Sequence, residues 1–228
     1  MTIGNPAHQR YRRWVVLLCL FFLVLVPVAA DGAISYIEGS VTIRRGSSVV
    51  TADIGTEVHQ GDVVVTGAGS TAIIRLAGAA DIKLRENSSV DLTEIGDRVE
   101  VGLNSGGIFS RIFGRLLGGF GVRADTVVGG VRGTEFFVAY GRTVENLPDV
   151  WLCVNSGEVQ VTVLETGATM PLSEGEGVNI LAGIRLGDAR RYRWTEKLNW
   201  NMDPSEGEVF DDTDLDAAYS DLLDQDYD

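Results

Sequence analysis

Between residues 32 and 183 the sequence is a succession of short β-branched segments that glycines interrupt at close intervals. Valine, isoleucine and threonine dominate the segments, several alternate apolar with polar residues, and none carries an apolar stripe over three helical turns. Such segments are typical of strands. We predict strands at residues 40–44, 63–66, 71–76, 81–84, 90–92, 136–140 and 159–163.

Glycine accounts for 28 of the 228 residues, a share well above the usual figure of about 7%. Because glycine adopts positive φ without steric penalty, tight turns and inner bends are its physical use in a β protein. We therefore predict an all-β fold, a glycine-rich β-sandwich or a short twisted β-solenoid. One main domain is expected over residues 31–184.

Two parts of the sequence resemble each other. Residues 39–43 (GSVTI) are followed by residues 61–64 (GDVV), and residues 157–161 (GEVQV) are followed by residues 175–178 (GEGV). In each copy a glycine and a polar residue precede an alternating strand, and a second glycine introduces another apolar segment. This similarity favours a repeated β unit.

The first thirty residues have the layout of a secretory signal peptide. Three arginines precede an apolar run over residues 14–28, and the small residues at the end of the run suit cleavage after Ala30. The run is shorter than the ~20 residues that span a bilayer core. We expect export, with the mature protein in the periplasm, in the cell envelope or secreted. Retention of the segment as an uncleaved anchor is the alternative.

The chain is strongly acidic, with a formal net charge of −13, and signal removal takes away three arginines and no acid. Nucleic acid is excluded as a partner because phosphate binding needs a basic face. Only Cys153 remains after cleavage, so an intrachain disulfide is impossible. We interpret Cys153 as a small buried residue in a strand; an interchain bond or a reactive thiol is the alternative.

The composition changes after residue 184. Residues 185–202 mix arginines with aromatic residues and form a predicted connector, whereas residues 203–228 contain eleven acids and no base. Such a charge block repels itself, which predicts a mostly disordered acidic tail with at most a short helix around residues 214–223. The alternative is docking of the tail onto a basic partner or onto the chain's own arginines.

The most specific segment is residues 122–140, VRADTVVGGVRGTEFFVAY, which resembles the signature of the FecR-type domain. The signature positions are Gly129, Gly130, Val131, Arg132, Gly133, Thr134, Glu135 and Phe136. Residues 61–67 and 156–161 resemble the family's flanking strand motifs, so the likeness covers about residues 34–182.

The signature residues also have a physical reading of their own. The glycines allow a sharp corner between two strands. Arg132 carries a planar guanidinium with five donors that can tie carbonyls, or a carboxylate such as Glu135, across the bend. The alternative is that Arg132 receives a ligand carboxylate, which makes it a candidate binding residue.

The resemblance implies an architecture as well. Founding members of the family pass a signal from an outer-membrane receptor to a sigma factor through a cytoplasmic N-terminal domain, a membrane helix and a periplasmic β domain. In this sequence thirteen residues precede the apolar run, too few for a sigma-binding helical domain. The resemblance is therefore to the stand-alone exported members.

Residues that could support catalysis or metal binding are scarce. After signal cleavage His59 is the only histidine, expected in an exposed turn, which excludes a histidine-rich metal site. A phosphate-binding loop and a spaced calcium loop are both lacking in the sequence. We predict a protein without enzyme activity, cofactor or metal.

Residues 108–120 form an apolar and locally basic stretch in an acidic chain. As a helix the stretch could lie on an anionic membrane surface or in a partner's groove. Its glycines argue against a stable helix and favour a hairpin packed on the core. The candidate binding residues here are Ile108, Phe109, Arg111, Phe113 and Arg115.

Taken together, these features predict a binding module that contacts another component of the cell envelope, a protein or a glycan, with a role in surface signalling. The alternative is a structural or assembly protein that self-associates through its β units.

Overall fold

A computed structural model describes residues 31–124, 127–131, 133–144 and 147–218. For residues 127–131, 142–144 and 193–194 it describes the backbone alone. The predicted signal peptide, Arg132 and residues 219–228 lie outside the described part.

The described chain is built from strands. They are β1 Gly32–Glu38, β2 Val41–Arg45, β3 Ser48–Thr51, β4 Glu57–Val58, β5 Val63–Thr66, β6 Thr71–Leu76, β7 Ala80–Leu84, β8 Ser89–Ile95, β9 Arg98–Ile112, β10 Gly119–Ala124, β11 Val127–Val131, β12 Glu135–Val144, β13 Leu147–Ser156, β14 Glu158–Val163, β15 Thr169–Ser173, β16 Glu176–Leu181, β17 Arg185–Leu186 and β18 Arg190–Arg191. A short 3-10 helix follows at Arg193–Lys197. The all-β prediction is confirmed, and each of the seven predicted strands coincides with an observed one.

The strands form two sheets that share the long strand β9. Sheet A has the order β4-β1-β6-β7-β9-β12-β13-β16, with β17 and β18 both paired to β16. Sheet B has the order β3-β2-β5-β8-β9-β10-β11-β14-β15. All of these pairings are antiparallel except β9–β10. Because the coils of a solenoid stack in parallel, the arrangement is a two-layer sandwich.

One apolar core fills the space between the two sheets. Sheet A contributes inward-facing residues such as Ile74, Ile82 and Phe136, and sheet B contributes residues such as Val64 and Val101, all of them almost completely buried. We name this cluster the inner core. Alternation along each strand directs these side chains inward, which is the pattern that made the strands recognisable in the sequence.

Glycines stand where the chain passes from one sheet to the other. β9 changes sheet at Gly106, which has φ +87° and whose Cβ, if present, would lie 2.6 Å from the Cα of Ser88. Gly157, between β13 and β14, has φ +81°, and a Cβ there would lie 2.5 Å from Thr134 Cγ2. Any larger residue would therefore clash at both corners.

The two similar sequence segments are equivalent only in their first halves. β2 and β14, which follow Gly39 and Gly157, begin the hairpins at the two opposite edges of sheet B. The second halves differ, because β5 lies in sheet B and β16 in sheet A. The sequence similarity thus marks two edge hairpins and does not extend to a complete repeated unit.

The C-terminal segment, residues 198–218, packs across the outer face of sheet A. Leu198, Met202 and Val209 are buried there beside the sheet residues Phe109 and Trp151. We name this second cluster the outer core. The expectation of a mobile tail therefore does not hold for residues 203–218, which the structure describes as packed.

A helical turn begins within this segment. Asp214 accepts hydrogen bonds from the backbone N–H groups of Asp216 and Ala217 and so caps the turn. Its described part, residues 215–218, coincides with the start of the predicted helix. Over the described residues, no helix is both long and apolar enough to cross a membrane.

Candidate binding surface

The signature residues form the corner at which the chain leaves sheet B and enters sheet A. Gly129, Gly130 and Val131 lie in β11, between β10 and β14. Gly133 turns the chain with φ +66°, and β12 then begins at Glu135 in sheet A. Of the three glycines expected to form the corner, only Gly133 lies at it, whereas Gly129 and Gly130 lie within the paired strand β11. Arg132, interpreted as a tie across the bend with ligand binding as the alternative, lies outside the described residues.

The residues that follow the corner anchor it to both layers. Thr134 is buried, and its carbonyl accepts a hydrogen bond from the backbone N–H of Ile112 at 3.0 Å. Phe136 is fully buried in the inner core and meets Phe120 edge-on, with the ring centroids 6.2 Å apart. Glu135 accepts a hydrogen bond from the side-chain amide of Asn155. These contacts give the corner a stabilising role.

Residues 108–120 do not form a helix. Ile108 and Phe109 belong to β9 and are buried, Ile108 in the inner core and Phe109 in the outer core. Neither of these two residues can contact a partner, and the amphipathic-helix alternative is thereby corrected. The glycines and the β-branched residues favour strand and turn instead. The predicted hairpin is not formed either, because β10 pairs in parallel with residues 98–102 of β9 in sheet B, whereas the end of β9 lies in sheet A.

Arg111, at the end of β9, is engaged in an ion-pair network on sheet A. Its guanidinium lies 3.1 Å from the carboxylate of Asp81, which also accepts a hydrogen bond from Arg75 Nε at 2.8 Å. Asp81 is buried, and its hydrogen bond raises the pKa of Arg75 above the ordinary value. Arg111 is therefore held largely as a structural partner of Asp81, with a third of its side chain exposed.

Residues 113–118, named here the basic loop, connect β9 with β10. Backbone hydrogen bonds fix both ends: Phe113 N–H donates to Ala79 O at 3.0 Å, and Gly118 N–H donates to Asp97 O at 2.9 Å. Between these anchors the loop exposes Phe113 by 54% and Leu117 by 73%, with Arg115 also exposed. The guanidinium of Arg75 lies 5.6 Å from the centre of the Phe113 ring, within cation–π range.

The basic loop and the signature corner line the same cavity. Its volume is about 310 Å³, and its walls include Phe113, Arg115 and Leu116 from the loop, Phe120 from β10 and Gly133 from the corner. Two segments that the sequence singled out separately are thus adjacent in the fold. Apolar walls with an arginine at the rim suit a small apolar side chain of a partner.

Two cations that hold the C-terminal segment could not be identified from the sequence. Lys83 in β7 and Arg85 just after it point to the outer face of sheet A, and both are buried. In the sequence Lys83 and Arg85 alternate with Ile82 and Leu84, a pattern typical of a strand with one buried and one solvent-exposed face. The only sequence signal for a cover was the presence of Trp200, together with a few other apolar residues, in an acidic tail.

Lys83 is bound by main-chain carbonyls. Its ammonium donates hydrogen bonds to the carbonyl oxygens of Asn199, of Asn201 at 2.9 Å and of Val209 at 3.1 Å. It also lies 4.2 Å from the centre of the Phe109 ring. Burial lowers the pKa of Lys83 to about 8.

Arg85 forms the second attachment. Its Nε lies 2.7 Å from Asp211 Oδ2, and both side chains are almost fully buried. The same guanidinium donates to the carbonyl oxygen of Thr213 at 2.7 Å. Asp211 in turn accepts a hydrogen bond from the backbone N–H of Asn199 at 2.9 Å. Each partner of this ion pair thus also has a hydrogen bond to the backbone of the C-terminal segment, which helps to offset the cost of burying the two charges.

The remaining expectations concern single residues. His59 lies half-buried in the turn between β4 and β5, where its N–H donates to Asp62. Cys153 is buried in the outer core, and burial raises the pKa of its thiol. Within the described ranges, no group of three or more histidine, cysteine or acidic residues could hold a metal ion.

Comparison with known proteins shows a similarity to one family. The profile of the FecR protein family matches residues 62–168. Two crystal structures of a protein described as a candidate anti-sigma factor from Parabacteroides distasonis ATCC 8503 are similar, with TM-scores of 0.47 and 0.45 and sequence identities of 18% and 21%. Each similarity covers 56% of this chain and 57% of the other, little more than half of either. No curated protein matches the chain. Residues 62–168, just under half of the chain, are therefore similar to the FecR protein family, and the signature corner lies within this matched region.

Proposed function

We propose that this chain is an exported, non-enzymatic binding module of the cell envelope that takes part in surface signalling and contacts a partner protein through the basic loop. The FecR family match supports a regulatory role. The layout of residues 1–30 supports export. The basic loop supplies the surface.

One observation carries the proposal: the basic loop exposes two large apolar side chains beside an arginine on a strongly acidic protein. Phe113 and Leu117 are more than half exposed, whereas Ile112 and Phe120 at the ends of the flanking strands are buried. Exposed apolar groups that cluster in this way mark interaction sites. Since Arg115 gives the patch a positive charge, the complementary partner surface is apolar with acidic groups around it.

A protein partner fits this patch better than a glycan or a membrane. Aromatic residues and arginine are the types enriched in protein–protein interfaces. An amphipathic helix that lies on a membrane buries a continuous apolar face, whereas the loop between Phe113 and Gly118 is irregular, with strands on both sides. The outer face of sheet A, the other surface with aromatic and cationic residues, is covered by the C-terminal segment.

Site-specific photocrosslinking in cells tests the proposal. A photoreactive residue placed at Leu117 is expected to capture one distinct envelope protein, identified by mass spectrometry. The matched control carries the same group at Leu164, an apolar residue that is 47% exposed in the turn between β14 and β15. Capture at position 117 and none at position 164 is the expected result.

A loop variant completes the test. Phe113→Ser combined with Leu117→Ser removes the apolar groups without touching a core residue, so the melting temperature should change little while capture of the partner falls at least tenfold. The proposal is overturned if position 117 captures no protein, or if the double variant retains capture. Flotation of the protein with anionic vesicles, lost in the double variant, would instead favour a membrane surface.

A further inference from the structure

Among the described residues the two sheets end in four edges, and three of these edges are protected. β4 is only two residues long, as are β17 and β18, whose arginines add charge at that end of sheet A. β15, at one edge of sheet B, contains Pro171. Short strands, charges and proline are the devices that prevent edge-to-edge pairing.

The fourth edge, strand β3, has none of these devices. Its sequence Ser48-Val49-Val50-Thr51 carries no charge and no proline, and all four residues are exposed. Val49 is 65% exposed and Val50 49%. An uncharged, valine-rich edge of this kind is a template for another strand.

The hydrogen-bond pattern shows which backbone groups face outward. Ala52 N–H donates to Val41 O at 2.9 Å, so this residue pair is hydrogen-bonded across β2 and β3. Hydrogen-bonded and non-hydrogen-bonded pairs alternate in an antiparallel ladder, and Val50 lies opposite Ile43 in the next hydrogen-bonded pair. The N–H and C=O groups of Val49 and Thr51 therefore point away from β2, toward the open side.

This outward pattern is complementary to itself. In an antiparallel pairing centred on Val50, Val49 of one copy lies opposite Thr51 of the other, and both pairs can exchange two N–H···O=C bonds. Val50 then meets Val50 on the two-fold axis, on the same side of the sheet as the buried residue Ile43. Such a contact uses the same patch on both copies, as a two-fold dimer requires.

Electrostatics do not oppose the pairing. The nearest like charges on the sheet belong to Arg44 and Arg45 in β2. In the paired arrangement the β2 strands of the two copies are three strand spacings apart, about 14 Å. This exceeds the Debye length of about 8 Å at physiological salt.

We propose that β3 is a homotypic interaction surface, through which two copies of this chain join their B sheets into one continuous sheet. The occupant is a second copy because the outward backbone groups and the valine pair match their own two-fold image. A four-residue strand buries less than a standard interface of about 1,200 Å² or more. The association is therefore weak and depends on concentration. This surface is separate from the basic loop and does not depend on the proposed function.

Disulfide trapping tests this pairing. Residues that face each other in a non-hydrogen-bonded pair have the Cα separation that a disulfide needs. The full chain with Val50→Cys, in a Cys19→Ser background that leaves buried Cys153 as the only other thiol, should form a covalent homodimer under mild oxidation. The matched control is Leu164→Cys, at a similarly exposed apolar position. We expect at least tenfold faster dimer formation for Val50→Cys.

Two further variants separate pairing from folding. Val49→Pro removes an outward N–H and leaves the ladder with β2 intact, so it should abolish trapping of Val50→Cys while the melting temperature is retained. Val50→Lys places like charges on the two-fold axis and should keep the protein monomeric by sedimentation velocity at concentrations where the unmodified chain associates. Equal trapping rates at positions 50 and 164, unaltered trapping with Val49→Pro, or a disulfide to a different protein would overturn the proposal.

Discussion

The two faces of sheet A are both buried, but different forces bury them. On the inner face, Ile82 and Leu84 of β7 pack among apolar residues of sheet B. On the outer face, Asp81 and Lys83 of the same strand are buried by arginines and by the C-terminal segment. Alternation of apolar and polar residues in a strand therefore predicts two chemically different faces. It does not predict that the polar face is exposed to solvent.

The difference has an energetic consequence. The inner core is stabilised by area removed from water and by close packing, so its losses are graded with the volume removed. The outer core includes charged groups in a low-dielectric setting, where removing one partner leaves the other unpaired. Mutations on the two faces should therefore differ in how they lower the free energy of unfolding as well as in how much they lower it.

The largest expected effect is in the inner core. Phe136→Ala should lower the free energy of unfolding by about 4 kcal/mol, because it removes a fully buried ring and leaves a cavity beside Phe120. Chemical denaturation measures the change. Phe113→Ala, at an exposed position, is the matched control and should change stability by less than about 0.5 kcal/mol. A similar loss in both variants would contradict the assignment of the inner core.

The next effect breaks the buried ion pair of the outer core. Asp211→Ala should cost about 3 kcal/mol, since the guanidinium of Arg85 would remain buried without its carboxylate. The neighbouring Asp212→Ala, at an exposed position, should be within about 0.5 kcal/mol of the unmodified chain. The double variant Arg85→Met, Asp211→Leu should recover most of the loss. Equal stabilities of the two single variants would show that the C-terminal segment is not docked.

A pH dependence distinguishes Lys83 from every inner-core residue. Its pKa is lowered from 10.5 to about 8 in the folded chain, so between these values the unfolded chain binds more protons. Stability due to Lys83 therefore rises with pH in this window. The difference in unfolding free energy between the unmodified chain and Lys83→Met should increase by on the order of 2 kcal/mol from pH 7 to pH 10.

Taking the difference removes the contributions of other groups. The pKa values of Cys153 and Tyr192 are raised by burial, which lowers stability at high pH equally in both proteins. A difference that stays flat or falls with pH would contradict the carbonyl-bound, buried ammonium.

The smallest expected effect concerns an exposed ion pair. Arg123 in β10 lies 3.1 Å from the carboxylate of Glu100 in β9, and nearly half of its side chain is exposed. Arg123→Ala should change the free energy of unfolding by less than about 1 kcal/mol, because solvent screens the ion pair. A loss as large as that of Asp211→Ala would remove the distinction between exposed and buried pairs on which the comparison rests.

Much of the sandwich could be predicted from the sequence, and the reason is the inner core. β5 and β6 were placed with their observed bounds because each is a short run of mainly β-branched and apolar residues between turn residues. The two-residue strands β4, β17 and β18 could not be predicted, since a pair of residues carries no period. The corner at Gly133 followed from the glycines and the signature.

Docking of the C-terminal segment onto the chain's own arginines was an alternative at the level of the sequence, but the residues that make the contact could not be predicted. Lys83 binds the backbone carbonyls of the segment, and any sequence presents carbonyls, so the contact leaves no signature in the segment itself. The acidic block predicted self-repulsion. In the structure one of these acids, Asp211, instead pairs with the buried Arg85. For the binding surface, the sequence indicated residues 108–120 but could not divide them into buried and exposed members.

Hydrogen exchange of the unmodified chain, followed by mass spectrometry, tests the central claim that residues 198–213 are a folded cover on sheet A. The backbone N–H groups of Asn199, Asn201 and Asp203 all have side-chain acceptors within the segment. We predict protection of peptides from this segment by at least ~100-fold over an unstructured peptide, and loss of that protection in Asp211→Ala. Exchange at the unstructured rate in the unmodified chain would contradict the account and leave the outer face of sheet A open.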